Sequence, residues 1–238
     1  MFELNIQKKW IDALYARSSV RQYTSAPDKA QLDKLGETCR KLSWQGVKIR
    51  MFKGPGLKSQ IKGTDVYAVI IAKRGTPMEV EGFMGEALVL EATAMGLGTC
   101  WLGAGFYPDI INRNVDLQTD EAVHCVISIG KANLPAFAPK RKELEKVCGM
   151  NEEQLAQLGA WQKEAVLAAR LAPSAINQQP WKIAADKTSV SILETTVLYK
   201  KYAPLDRGIC MLHAAVGAAK AGRTAIWKKV DGGYAMKA

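Results

Sequence analysis

Five short segments of the chain are dense in β-branched and aromatic residues: VKIRMF (47–52), VYAVIIA (66–72), AVHCVISI (122–129), WKIAA (181–185) and TSVSIL (188–193). That pattern predicts strands. Between them lie four stretches that predict helices: KAQLDKLGETCRKL (29–42), EGFMGEALVLEATAMG (81–96), EEQLAQLGAWQKEAVLAARLA (152–172) and RGICMLHAAVGAAKAG (207–222). The fold class expected is α+β. Several of these helices, LHAAVGAAKAG above all, carry apolar or small residues on nearly every face, which predicts burial between layers rather than a place on the surface.

The pattern also repeats. GFMGEALVLEATAMGLGTCW (82–101) and GICMLHAAVGAAKAGRTAIW (208–227) align without a gap, pairing Gly82 with Gly208, Ala92 with Ala218, Gly96 with Gly222 and Trp101 with Trp227 at a fixed offset of 126 residues. Upstream, ETCRKLSWQGVKIRM resembles VLAARLAPSAINQQPWKIAA once a longer loop is allowed in the second copy. Each copy then reads helix, strand, strand, helix. The expectation is an internally duplicated chain whose two half-domains, each a small and mainly antiparallel sheet flanked by helices, bury their apolar helices against each other as a symmetric dimer does. The boundary is expected in the connection at 133–153, giving a first half over 1–148 and a second over 149–238. A single irregular α+β domain is the alternative.

Composition narrows the function. At 238 residues, 48% hydrophobic and 24% charged, the chain is an ordinary soluble globular protein. Its apolar runs are far too short to cross a bilayer, and MFELNIQKKW has no apolar stretch of signal-peptide length, so a cytoplasmic protein with no membrane partner is expected. The net charge of +10 admits nucleic acid, membrane surfaces and anionic small molecules as partners. However, the basic residues are spread along the chain, and the densest run, Lys140-Arg141-Lys142, has glutamates beside it. No nucleic-acid partner is expected from such a scatter. Five cysteines without a C-x-x-C pair and only two histidines point to buried thiols and to no metal. The absence of G-x-S-x-G, of a P-loop and of G-x-G-x-x-G argues against a hydrolase triad and against the usual Gly-rich nucleotide loops.

Three segments have ligand-binding chemistry. In ARSSVRQY (16–23), Arg17, Ser18, Ser19 and Arg21 put two guanidinium forks and two hydroxyls where a helix ends, which suits a phosphate or another anion; a polar helix end is the plain alternative. In MGLGTCWLGAGF (95–106), dense glycine lets backbone N–H groups approach a flat ligand, although a helix cap followed by a turn would read the same. In APSAINQQPW (172–181), Asn177 and Gln179 donate and accept at once, matching a heterocycle edge of alternating N–H and C=O groups.

Taken together, these segments resemble the FMN-dependent nitroreductase family, from about residue 10 to the end. The resemblance rests on Arg17-Ser18-Ser19-Val20-Arg21 for R-x-S-x-R, Ala172 to Trp181 for A-P-S-x-x-N-x-Q-P-W, Gly96 to Gly103 for G-L-G-T-x-W-x-G, and Lys140-Arg141-Lys142 for the late basic segment. The order departs from the family, in which the A-P-S loop follows soon after R-x-S-x-R and serves the partner subunit's flavin in a homodimer. Here the first copy shortens its counterpart loop to KLSWQGVKI, while the second lacks R-x-S-x-R and replaces the glycine-rich turn with GRTAIWKKVDGG. Each half keeps what the other lost. The resemblance therefore implies one FMN per chain, a pseudo-dimer acting as a monomer, with phosphate contacts from the first half and the partner loop from the second.

By matching position, Arg17 and Ser19 resemble the ribityl and phosphate contacts, with Ser18 close by. Arg141 resembles the late basic phosphate contact, beside Lys140 and Lys142. Arg21 resembles the residue at the N1/O2 side of the ring, where a cation favours the negative charge that builds on reduction. Pro173, Ser174, Ala175, Asn177 and Gln179 resemble the partner-loop contacts, and the backbone of Gly103 and Ala104 falls where the family places an N–H near flavin N5. The implied activity is a ping-pong oxidoreductase: NAD(P)H gives hydride to FMN, which reduces a nitroaromatic, a quinone or a similar small-molecule acceptor. Reductive dehalogenation and oxidative breakdown of flavin are other reactions of the family, and a flavin carrier or redox sensor without turnover is a further alternative.

Overall fold

The computed structural model describes residues 3–133 and 139–237. The boundary expected at 133–153 thus falls partly on residues 134–138, outside the described residues. In chain order the first elements are α1 (Lys9–Ala16), α2 (Lys29–Leu42), β1 (Val47–Lys53), β2 (Val66–Lys73), α3 (Met78–Ala94), β3 (Gly98–Leu102), α4 (Pro108–Val115) and β4 (Glu121–Gly130). There follow α5 (Leu144–Cys148), α6 (Glu152–Ala156), α7 (Ala160–Arg170), a 3-10 turn (Ala175–Asn177), β5 (Trp181–Ala185), β6 (Ser189–Glu194), α8 (Ala203–Lys220), β7 (Ile226–Val230) and β8 (Gly233–Lys237). All five expected strands form, and the class is α+β. Strands β3, β7 and β8 come in addition, and the single helix expected at 152–172 is two, because Gly159 stands outside as the N-cap of α7.

The chain divides into two compact units, Ala16–Ala138 and Met1–Tyr15 with Pro139–Ala238. In Ala16–Ala138 the sheet runs β1-β2-β4-β3, every neighbouring pair antiparallel. Its centre is β2, buried from Val66 to Ala72, as a nearly continuous apolar strand requires. Tyr67, Val69 and Ile71 fall on one face by the two-residue period and join Cys100, Leu102, Val126 and, from α4, Ile111 and Val115 in one core cluster. Helix α2 starts at a capping box, with Asp28 accepting the Gln31 N–H at 3.0 Å and Gln31 accepting the Asp28 N–H at 3.1 Å.

In the other unit the sheet runs β5-β6-β8-β7, again all antiparallel. The long buried helix stands at the same point in both, α3 between β2 and β3, and α8 between β6 and β7. Helices α7 and α8 pack along each other, and Gly217 permits it, since a Cβ there would lie 2.3 Å from the Glu164 carbonyl oxygen. The residues paired by the 126-residue offset occupy equivalent places. Gly96 (φ 74°) and Gly222 (φ 76°) turn left-handed just after α3 and α8, and Trp101 and Trp227 lie on β3 and β7.

No helix among the described residues is long and apolar enough to cross a membrane. All five cysteines are free and buried, and no group of three or more His, Cys, Asp or Glu suited to a metal occurs among the described residues.

Candidate functional site

In the unit Ala16–Ala138, the segment after α1 runs extended across the sheet. Ser19 bridges Thr99 of β3 in parallel and Val20 N–H donates to the Thr99 carbonyl at 2.8 Å. Next, Lys62 N–H donates to the Arg21 carbonyl at 2.9 Å and Tyr23 N–H to the Lys62 carbonyl at 2.8 Å, before Thr24 N–H reaches the Lys131 carbonyl at 2.8 Å. An extended segment alternates its side chains. Val20 is buried in the core, and Arg21 is exposed.

Arg17 is nearly buried, its Nε 3.7 Å from the Glu86 carboxylate and one terminal nitrogen 3.5 Å from Ser19 Oγ. Glu86, on α3, is fully buried and accepts the Trp101 indole N–H at 2.7 Å. Two polar atoms here, Arg17 Nε and Ser18 Oγ, are buried with no hydrogen-bond partner among the described residues. The segment that follows them lines a cleft of about 540 Å³, formed by Ser19, Val20, Arg21, Gln22, Tyr23, Thr24 and Asn133. Tyr23 closes its floor as a neutral phenol: burial holds its pKa far above the usual range, and its hydroxyl meets Ser128 Oγ at 2.8 Å. Gly103 and Ala104 begin the turn that follows β3. Four residue steps lead from Thr99, which meets Ser19, to Gly103, about 13 Å at the strand rise.

The other expected residues sit in the second unit and are held tightly. Ser174 Oγ accepts the Gln179 N–H at 2.8 Å, and the Ala175 N–H donates to both oxygens of Asp206, on α8, at 3.0 and 3.1 Å. Three non-glycine residues take left-handed backbone, Ile176 (φ 49°), Asn177 (φ 56°) and Gln179 (φ 50°). For a β-branched residue such as Ile176 this is a true outlier, and clusters of such strain collect at functional sites. Arg141 donates to Asn177 Oδ1 at 3.0 Å and to the Leu171 carbonyl at 3.2 Å, while Asn177 donates to the Lys140 carbonyl at 3.0 Å. Gln179 accepts the Lys142 N–H at 2.8 Å and donates to the Asn177 carbonyl at 3.1 Å. The two amides thus shape the loop. Beside them a basic cleft of about 390 Å³ is lined by Lys140, Arg141, Lys142, Lys146, Asn177 and Gln179, with Glu143. Burial and the neighbouring Lys146 lower the pKa of Lys142.

The expected residues therefore form two sets. Arg17, Ser18, Ser19, Arg21, Gly103 and Ala104 belong to one unit; Lys140, Arg141, Pro173, Ser174, Ala175, Asn177 and Gln179 belong to the other.

The family model described as "Putative TM nitroreductase" matches residues 9–218. The chain belongs to this nitroreductase family. Among solved structures, a "putative nitroreductase" from Thermotoga maritima is 24% identical, with a TM-score of 0.72 over 100% of this chain and 97% of that one. An FMN-dependent nitroreductase from Clostridium difficile is 21% identical over 55% of this chain and 91% of its own, at a TM-score of 0.44. A nitroreductase with bound FMN from Desulfitobacterium hafniense is 14% identical over 61% of this chain and 100% of its own, at 0.48. No curated protein matches.

Two residues of this family member escaped the sequence reading. Glu86 pairs with Trp101 under Arg17, and Asp206 holds the loop at Ala175. For Glu86 a signal was present, a lone acid inside the otherwise apolar GFMGEALVL, since such an acid is buried only with a partner. Asp206, an acid in the first turn of α8, where acids are ordinary, gave none.

Proposed function

We propose that the protein is an FMN-dependent oxidoreductase that takes hydride from NAD(P)H and passes it to an electron-poor small-molecule acceptor such as a nitroaromatic or a quinone. The observation that carries this is the pair of buried atoms without partners, Arg17 Nε and Ser18 Oγ, immediately before the segment that lines an open cleft, in a chain of the nitroreductase family. Buried polar atoms lacking partners are few in native folds and each needs an explanation, and here two of them adjoin in sequence at a segment rich in anion-binding side chains. A phosphate supplies acceptor oxygens for both, so the residues fit FMN. When bound, FMN supplies the hydride-carrying centre for donor and acceptor in turn.

In this reading Arg17, Ser18 and Ser19 bind the phosphate and ribityl end. Arg21 sets a fixed positive charge at the ring edge where negative charge develops, and the backbone of Gly103 and Ala104 orients the reacting edge. The strained loop at 174–179, braced within its own unit by Arg141 and Lys140, supplies the partner-loop contacts of this reading. Each unit carries only part of this set, and one FMN per chain is the stoichiometry that two incomplete sets imply. The shared strand order of the two sheets and the 126-residue offset favour internal duplication as its origin.

The test is the visible spectrum of the purified protein and the ratio of released flavin to chain. Flavin bands at one FMN per chain, bleached by NADH or NADPH and restored by a quinone, are expected. A colourless protein that takes up no FMN, or one holding two per chain, overturns the reading.

A further inference from the structure

We propose that Asp206 is a positioning residue for the 172–181 loop: its ionised carboxylate holds the Ala175 N–H, fixes the strained turn that follows, and so makes flavin affinity depend on the charge of a residue outside the flavin contacts. The proposal rests on the flavin reading above. Its basis is geometric. Ala175 opens a 3-10 turn whose next two residues, Ile176 and Asn177, are both left-handed without being glycine, and Gln179 is left-handed as well. Such backbone persists only where its surroundings over-determine it. The far end of the loop is fixed several times over, by Arg141 on Asn177, by Lys142 on the Gln178 and Gln179 carbonyls, and by the Gln178 side chain paired with the Tyr199 backbone. At the near end, the bond from Ala175 goes to Asp206, which accepts through both oxygens at 3.0 and 3.1 Å.

Asp206 is 3% exposed. Burial pushes its carboxyl up to about 7, against the Ala175 N–H and the Arg207 guanidinium, which favour the charge. The surrounding groups are few. On α8 itself stand Arg207 and, one turn on, the Cys210 thiol, which burial keeps protonated. From α7 the Ala168 and Ala169 carbonyls face His213 and Cys210, while the charged groups of α7 turn elsewhere, Glu164 to Lys220 and Arg170 to Glu143. From β6, Glu194 lies 3.9 Å from Arg207. Asp206 is thus the titrating group at this contact. A neutral acid holds an N–H at roughly half the strength of a carboxylate, so protonation loosens the turn, and the sign is fixed: flavin binding weakens as pH falls through about 7.

The test follows the Ala175 amide in 15N-labelled full-length protein and, separately, measures the FMN Kd by flavin fluorescence at pH 6 and pH 8. Expected is an Ala175 shift that titrates with a midpoint near 7 in the wild type and not in Asp206→Asn. Wild-type affinity should be about tenfold weaker at pH 6 than at pH 8 relative to that variant, if the protonated form binds poorly. The Asn variant sets the baseline because the FMN phosphate takes up its own proton near pH 6. An Ala175 amide that does not titrate in the wild type, or identical pH profiles in wild type and variant, overturns the proposal. A titrating Ala175 amide in a protein that binds no FMN at either pH overturns the flavin reading and leaves the clamp standing.

Discussion

The Glu86 carboxylate accepts the indole N–H of Trp101 at 2.7 Å and at the same time lies 3.7 Å from Arg17 Nε. One buried acid therefore ties a strand, a helix and the first guanidinium of the site together. At the 126-residue offset the second unit has Leu212 in place of Glu86, and there the Trp227 indole nitrogen is buried without a partner among the described residues. The unit that lacks R-x-S-x-R also lacks the acid that would have balanced its arginine.

Glu86→Gln keeps an acceptor for Trp101 and removes the charge beside Arg17. A buried guanidinium left without that charge costs on the order of 3 kcal/mol, and an incoming phosphate offsets part of it. Denaturant melts should show the loss, and FMN or inorganic phosphate should stabilise the variant more than the wild type. Equal ligand-induced shifts in both proteins would show that Glu86 does not balance Arg17.

Gly85 tests the packing of the same pair. A Cβ there would lie 2.3 Å from the far edge of the Trp101 ring, so Gly85→Ala forces the indole to move and should cost roughly 1–3 kcal/mol, as overpacked cores do. Adding Trp101→Phe removes the clashing six-membered ring, and the double variant should recover part of what the single one lost. A double variant whose losses simply add would rule out the clash as the cause.

How much of this was legible in the chain depended on where each signal is carried. β2, with its unbroken apolar run, and α3 and α8, apolar on almost every face, announce themselves because burial on all sides needs no partner to be inferred. β3 did not, because GTCWL is five residues inside a glycine-dense run that reads as a turn. β7 did not, because Lys228 and Lys229, the exposed charges that sheet edges use against aggregation, break its apolar pattern. β8 pairs on both sides, but five residues containing glycine and alanine have little strand propensity. The candidate site was readable as motifs, and its supports were not. Asp206 meets a residue 31 positions earlier and Glu86 one 15 positions later, contacts that only the folded chain makes.

Arg17 and Arg21 should separate binding from turnover. Arg17 is buried next to unpartnered donors, whereas Arg21 is exposed on the cleft wall. Loss of a charge-assisted phosphate contact is worth about 1.5–3 kcal/mol, so Arg17→Ala should weaken FMN binding by roughly tenfold to a hundredfold. Arg21→Ala should retain flavin yet slow its bleaching by NAD(P)H by about a hundredfold, the scale of losing one preorganised electrostatic donor. Stopped-flow absorbance measures the second and equilibrium titration the first; wild-type behaviour in both variants would remove these residues from the site.

Asp206 should also leave a mark on stability. Its folded carboxyl titrates near 7 against an ordinary value of 3.8, because burial disfavours the charge. A raised acid contributes stability that is complete below about pH 4, is lost as pH rises towards 7, and stays lost above. The shift corresponds to roughly 4 kcal/mol. Asp206→Asn keeps an acceptor for the Ala175 N–H and carries no charge to bury, so it should be no more stable than wild type at pH 4, increasingly more stable up to pH 7, and level in its advantage beyond. Urea melts of both proteins at pH 4.5, 6, 7 and 8 measure the difference. An advantage constant across that range would mean that Asp206 does not titrate there, and a variant less stable at pH 8 would mean that its charge is worth more to the fold than its burial costs.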